Sequence, residues 1–278
     1  MEFASTGRFL FAFLHLHSDE SMKKEHHLPA GLLLALVAPL ASAQVPNLAT
    51  IKTDDRWRAA FGLGFSHAGG NTSASSLNLS ADAARASPIG KWTLGGRYLR
   101  GRNDGVTNAD QAVLGTRYDR DIVGPWFGFG QASYLRDRLA NLSGQYAGNA
   151  GVGYHVVRSD PLTWDVFAGM GYIYDSYVAP AVVAGELRDH YGRAEVLFGE
   201  ESQHRISDTT TFKQRLAFYP SLRESAGRRA TFDASFVVAI NKMFALNATL
   251  GYRYNSEPGL GLKTTDTLFV TSITYRID

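Results

Sequence analysis

Ser66, His67 and Asn71 come closest in this chain to a nucleophile, a base and an orienting amide. A serine attacks a carbonyl when a histidine within hydrogen-bonding reach takes its proton and a third group fixes the ring. Ser66 and His67 are adjacent, however, and adjacent side chains of an extended strand point to opposite faces. A polar loop around Gly69, Gly70 and Asn71 is the better account of the trio. His155, His190 and His204 stand without the partner spacing of a metal site. Asn103, Asp104, Gly105, Asn108 and Asp110 miss the calcium-loop pattern and read as a surface turn. The chain has no cysteine, which excludes thiolate zinc sites, cysteine nucleophiles and disulfide scaffolds. The expectation is therefore a protein that is not an enzyme, with no catalytic, cofactor-binding or metal-ligating residues.

The elements that must position these groups are strands. In WRAAFGLGFSHAGGNT (57–72), Trp57, Ala59, Phe61, Leu63 and Phe65 alternate with Arg58, Ala60, Gly62, Gly64 and Ser66. Period two is the strand period. The second face is too small and too poor in long polar side chains to be water-washed, so Phe61, Leu63 and Phe65 are placed against lipid and the glycines against a crowded lumen. The same alternation recurs to the end of the chain, in about twelve segments, with no helix-period stretch of useful length. The 278 residues carry 28 Gly, 13 Tyr, 16 Phe and a net charge of only +2. That charge calls for no nucleic acid, and mean hydropathy is slightly negative, unlike a helical membrane protein.

Connections sort into two kinds. Short ones fall around 87–90, 122–125, 159–161, 207–209 and 241–243. Between them lie longer or Gly-rich ones at 67–74, 101–108, 137–144, 176–189, 221–228 and 256–264. Short periplasmic turns and longer extracellular loops are the arrangement of an outer-membrane barrel. Trp57, Trp92, Trp126 and Trp164 open strands just after the short turns, and Phe212 and Phe244 hold the equivalent place. Tyr98, Tyr134, Tyr174, Tyr219 and Tyr254 gather at the far ends, so that two interfacial aromatic belts are predicted. The fold class is accordingly all-β, a transmembrane antiparallel barrel of about twelve strands over 57–278. The 176–189 segment, the longest loop in this reading, is placed as a constriction or a binding surface.

Strand parity turns Asp82, Arg97, Arg117, Asp165, Arg193, Glu195, Lys213, Arg215, Asp233, Arg253 and Arg276 inward. Both signs inside a barrel either pair across it and close it, or line a narrow hydrated pore. Lys213, Arg215 and Arg253 on one wall would favour anions.

The N-terminal part reads as targeting. Met22-Lys23-Lys24 begins a positive region, 28–40 (LPAGLLLALVAPL) is an apolar run, and Ala41-Ser42-Ala43 is a small-x-small cleavage site, giving a signal peptide over 22–43 cleaved after Ala43. Residues 1–21 are read as a misassigned start or leader, and 44–56 as a periplasmic lead-in.

The segments WRAAFGLGFSHAGGNTSASSLNL, RYDRDIVGPWFGFGQASYLRDRL, YAGNAGVGYHVV, EVLFGEES, FKQRLAFYP and DTLFVTSITYRID resemble the YdiY-like family (domain of unknown function 481) over nearly all of 55–278. Its members are described as salt-induced outer-membrane proteins. The resemblance implies a Gram-negative outer-membrane barrel and a salt or osmotic role, and it implies no chemistry. Barrels commonly end on an aromatic residue, whereas Asp278 closes this chain after Tyr275 and Ile277. The expected function is a narrow passive channel or stress-related barrel. A closed structural barrel is the alternative, with a lipase-type enzyme a distant third. The expected surroundings are outer-membrane lipid, lipopolysaccharide, the barrel-assembly machinery and small ions or solutes.

Overall fold

The computed structural model describes residues 47–68, 74–222, 227–258 and 263–277. Residues 1–21, the signal peptide over 22–43 with its cleavage position Ala43, Asn71 and Asp278 lie outside them. The described chain forms twelve strands: β1 (Trp57–Ala68), β2 (Ala74–Ser87), β3 (Gly90–Asn103), β4 (Val106–Val123), β5 (Trp126–Asp137), β6 (Leu142–Arg158), β7 (Leu162–Val183), β8 (Glu186–Arg205), β9 (Thr210–Pro220), β10 (Arg228–Ala239), β11 (Phe244–Asn255) and β12 (Thr265–Ile277). Each pairs antiparallel with its sequence neighbours, and β1 pairs with β12 to close a barrel. The closing seam runs from Ala59 opposite Ile277 to Leu63 opposite Ile273. No helix among the described residues is long and apolar enough to cross a membrane, so these residues cross with strands if they cross at all.

Alternation sets the faces. On β1, Phe61, Leu63 and Phe65 point outward, Phe65 being 71% exposed, while Arg58 and Ala60 are buried inside. The outer wall carries Leu114, Met170, Phe198, Leu246 and Phe269 in the same exposed state. A contiguous apolar surface of this extent is untenable in water and natural in lipid. Strand β5 inverts the pattern, with Phe127 and Phe129 buried in the lumen and Gly128 and Gly130 on the outer parity. The neighbouring strand makes room for them: a Cβ on Gly153 of β6 would sit 2.1 Å from the Phe127 ring.

The five short connections lie at 88–89, 124–125, 159–161, 206–209 and 240–243. Two of the expected loops, 101–108 and 176–189, are instead continuous hairpins. Asp104-Gly105 (φ 48° and 78°) and Ala184-Gly185 (φ 53° and 80°) are two-residue turns with both central residues left-handed. Such turns match the twist of the paired strands, and pairing extends to the tip beyond one register shift in each hairpin, at Gly101/Arg102 and at Ser176/Ala181. The 176–189 segment is thus neither an inward constriction nor a loop surface. It is the end of the longest hairpin, in which β7 and β8 run 22 and 20 residues, well beyond the roughly 10 that cross a bilayer.

The described part of the lead-in packs against the barrel wall. Residues 47–49 lie inside the barrel at the end that carries the chain termini. Leu48 and Ala49 are buried against the inward Ala60, Ala84, Val237 and Ala245. Burying a leucine this way contributes about 1.5–3 kcal/mol. Asp55, at φ 62°, turns the chain from this segment into β1.

Gly153→Val forces its side chain into the Phe127 ring and is expected to cost about 1–3 kcal/mol. Gly130→Ala, with nothing within 4 Å of the added Cβ, is expected to be neutral. Urea midpoints followed by tryptophan fluorescence check both; equal midpoints would mean that the ring moves aside freely.

Candidate functional site: the barrel interior

Away from the termini, inward side chains pair and fill the lumen. Arg193 of β8 meets Asp175 of β7 at 2.7 Å, and Gln145 donates to the same carboxylate at 2.6 Å. Arg229 of β10 reaches Glu195 of β8 at 2.7 Å, although Glu195 is only 1% exposed. Gln111 donates to Asp137 at 2.9 Å. Arg253 pairs with Asp233, and Arg97 with Asp82 at 2.9 Å. A charge held this far from water persists only when it is compensated and hydrogen-bonded.

Next to these pairs the lumen is aromatic. Phe127, Phe129, Phe167, Leu197, Ala217 and Tyr219 pack as one cluster. The Arg117 guanidinium lies 4.7 Å from the centres of both Phe129 and Phe167, and Arg215 lies 4.7 Å from Phe167. Arg117 also donates to Asp119 at 2.6 Å, and Arg215 to Glu201 at 2.6 Å and Gln131 at 3.2 Å. Lys91 lies 3.3 Å from Glu201 and 3.4 Å from Asp119. Lys91 and Glu201 were legible by parity, three steps of two from Arg97 and Glu195, and went unread. The inward phenylalanines carried no such signal, because alternation alone leaves β5 free to face either way.

Towards the termini the lumen opens into a cavity of about 710 Å³, lined by Lys91, Asp119, His155, Asp165, Lys213 and the lead-in residues 51–53. His155 sits between Asp165 (Nδ1 at 2.6 Å) and Asp121 (Nε2 at 3.2 Å) and stacks on Phe127 at 4.6 Å. Lys213 has no carboxylate within ion-pair distance among the described residues, and it donates to the Asn47 carbonyl at 2.7 Å. The expected basic wall is interrupted by carboxylates: Arg253 pairs with Asp233, and Arg215 pairs with Glu201, which also serves Lys91 and Arg117. Same-sign residues were legible by parity, whereas their partners on the adjoining strands depend on register. Arg276 donates to the Asn241 carbonyl at 3.2 Å.

The outward aromatics at the strand ends near the termini meet in pairs. Trp57 meets Trp92 at 6.3 Å, Trp126 meets Tyr154 at 5.1 Å, Phe212 meets Phe236 at 4.8 Å and Phe244 meets Tyr275 at 5.4 Å. Trp164 donates to Glu200 at 2.8 Å. Of the far tyrosines, Tyr134 contacts Tyr146 at 5.0 Å, and Tyr174 stacks on His190 at 5.8 Å. Tyr219 is the exception. It is buried inside with Arg229 4.9 Å over its ring, because it shares parity with the inward Arg215 and Ala217. Ser66 Oγ contacts Ser76 Oγ at 2.7 Å. A serine–histidine contact that was not foreseen occurs between Ser202 Oγ and His204 Nε2 at 3.1 Å, and the ring's other neighbour is Phe212 at 5.9 Å. Among the described residues no carboxylate pairs with His204.

The lead-in is tied at its base by Asp54 to Arg58 at 2.5 Å and by Asp55 to Arg85 at 2.9 Å. The Arg58 hydrogen bond holds the Asp54 carboxyl down at about 2, and Arg85 likewise lowers Asp55. Both carboxylates are exposed, so each pair is screened by water and salt.

Arg229→Met is expected to cost about 3–5 kcal/mol by leaving Glu195 buried and uncompensated, while the Arg229→Met, Glu195→Leu double variant regains most of it. Urea unfolding of all three chains checks this. For the lead-in, the folded value of Asp54 (about 2) lies below its ordinary 3.8. Its contribution is complete above pH 4 and is lost as pH falls through 2. A spin label on Thr53→Cys should gain mobility over that window and not above it.

Residues 61–277 match the family described as "Protein of unknown function, DUF481". No curated protein matches. Among solved structures this chain is similar to an outer membrane channel of Pseudomonas putida F1, at 9% identity and a TM-score of 0.47, covering 84% of this chain and 99% of that one. It is also similar to the NanC porin (10%, 0.41, covering 80% and 98%) and to an anion-selective porin of Comamonas acidovorans (8%, 0.38, covering 80% and 99%). The match over 61–277 runs from Phe61 within β1 to the end of β12, and the chain belongs to the DUF481 family.

Proposed function

We propose that this chain is a Gram-negative outer-membrane barrel, exported by a signal cleaved after Ala43, that serves as a narrow and sparingly conducting channel for small ions and solutes. It is folded by the barrel-assembly machinery among lipid and lipopolysaccharide, with the termini in the periplasm. The observation that carries the reading is the 710 Å³ cavity at the terminal end, walled by charged groups of both signs. A closed core packs to near-crystalline density, whereas small residues such as Thr93 and Gly115 line this space and leave it open. Paired charges such as Arg215 with Glu201 and Arg97 with Asp82 predict weak selectivity, not the anion preference of an uncompensated basic wall.

A second reading, a barrel that never conducts, is favoured by the phenylalanine cluster under Arg117 and Arg215. Current from the purified full chain in a planar bilayer separates the two. Discrete steps with a reversal potential near zero across a salt gradient are expected. Silence from a chain that shows the heat-modifiable gel shift of a folded barrel, in native form and with the lead-in released, would leave the closed barrel.

A further inference from the structure

Asn47 and residues 51–53 of the lead-in line the cavity, and Leu48 and Ala49 pack against the barrel wall beside it. Ala60 of β1, Ala84 of β2 and Ala245 of β11 are the inward residues there, and together they leave a hollow that Leu48 and Ala49 fill. At the tip, Asn47 is held three ways. Its Nδ2 donates to the carbonyls of Ala83 (3.1 Å) and Leu94 (2.8 Å), and its own carbonyl accepts from Lys213 Nζ at 2.7 Å. Lys213 reaches from β9, across the lumen from the β2 and β3 carbonyls. The three bonds therefore span the passage. Residues 51–53 continue along the cavity wall.

The base of the segment is held differently. Its two ion pairs are bidentate: Asp54 grips the buried Arg58 and Asp55 grips the exposed Arg85, and both carboxylates face water. The reversal into the lumen is made at a single residue, Asp55, in the left-handed region, a conformation Asp tolerates better than most. The base therefore stays fixed to β1 and β2, Asp55 N donating to the Ala86 carbonyl at 2.8 Å, and a released tip swings about the reversal at Asp55.

We infer that residues 47–56 are a built-in gate. The tip seated under Lys213 closes the cavity, and release of the tip, with the segment swinging at Asp55, opens it to the periplasm. Lys213 is the latch, which accounts for a lumen ammonium that binds a main-chain carbonyl where its neighbours bind carboxylates. Losing one hydrogen bond to a charged donor shifts such an equilibrium about tenfold or more towards the released form. The inference rests on the channel reading.

The absence of native cysteine gives a clean test. Ala49→Cys (the native residue 0% exposed) and Thr53→Cys (exposed) are placed singly in the full chain, purified in detergent, and treated with a charged thiol reagent. Thr53→Cys should react quickly and Ala49→Cys slowly. Adding Lys213→Met to Ala49→Cys should raise its rate about tenfold. Asn47→Ala should do the same without touching the barrel wall, which guards against a Lys213 variant that fails to fold. Bilayer currents of the same chains are recorded alongside, and larger or more frequent steps are expected from the released forms. Equal reaction of the two cysteines in the otherwise native chain would overturn the seated tip, and an unchanged rate in both variants would overturn the latch. Release with currents equal to the native chain sinks the gate alone. Release with no current in any form sinks the channel reading and the gate with it.

Discussion

Everything in this fold follows from the need of each backbone amide and carbonyl to find a partner within the sheet when the surroundings offer none. Lipid supplies no hydrogen bonds, so a sheet that crosses it cannot keep an edge. The pairing of β1 with β12 removes the edge, and the apolar residues released from core duty move to the outside. The hydrophobic and polar faces of a soluble sandwich are thereby exchanged. Phe61, Leu63 and Phe65 are exposed for the same reason that a core leucine elsewhere is buried.

Closure creates a second problem, the filling of the space inside. This chain solves it in three ways along one lumen. Far from the termini, ion pairs such as Arg229 with Glu195 occupy it, each charge compensated within one or two strands. Next to them, Phe127, Phe129 and Phe167 carry the guanidinium groups of Arg117 and Arg215 on their faces, so that positive charge is held by ring electrons as well as by carboxylates. Near the termini the filling is a piece of the chain itself, residues 47–49. The first two are fixed to the wall. The third continues into β1 through the reversal at Asp55, and the cavity lies beside it.

The two long hairpins illustrate how turn chemistry outranks composition. Polar and Gly-rich stretches at 101–108 and 176–189 look like loops by residue type. Asp104-Gly105 and Ala184-Gly185 take up left-handed two-residue turns, and pairing reaches the tip of each hairpin beyond one register shift, at Gly101/Arg102 and at Ser176/Ala181. One Gly beside a residue that tolerates positive φ outweighs several neighbours of loop character.

Read alone, the sequence determined what depends on period and parity. Twelve strands, the short turns, the ring of Trp57, Trp92, Trp126 and Trp164, and the inward parity of Arg97 or Asp233 all repeat every second residue, and that repeat is a property of the extended backbone. Tyr219 was misplaced because height along a strand was read where face was needed. What only the tertiary structure decided is everything that crosses the lumen. The pairing of Arg215 with Glu201, the space over Gly153 that admits Phe127, and the seating of Asn47 under Lys213, 166 residues away in the chain, depend on register and on closure of the sheet. No local pattern encodes the distance between opposite walls, because that distance exists only once β1 has met β12.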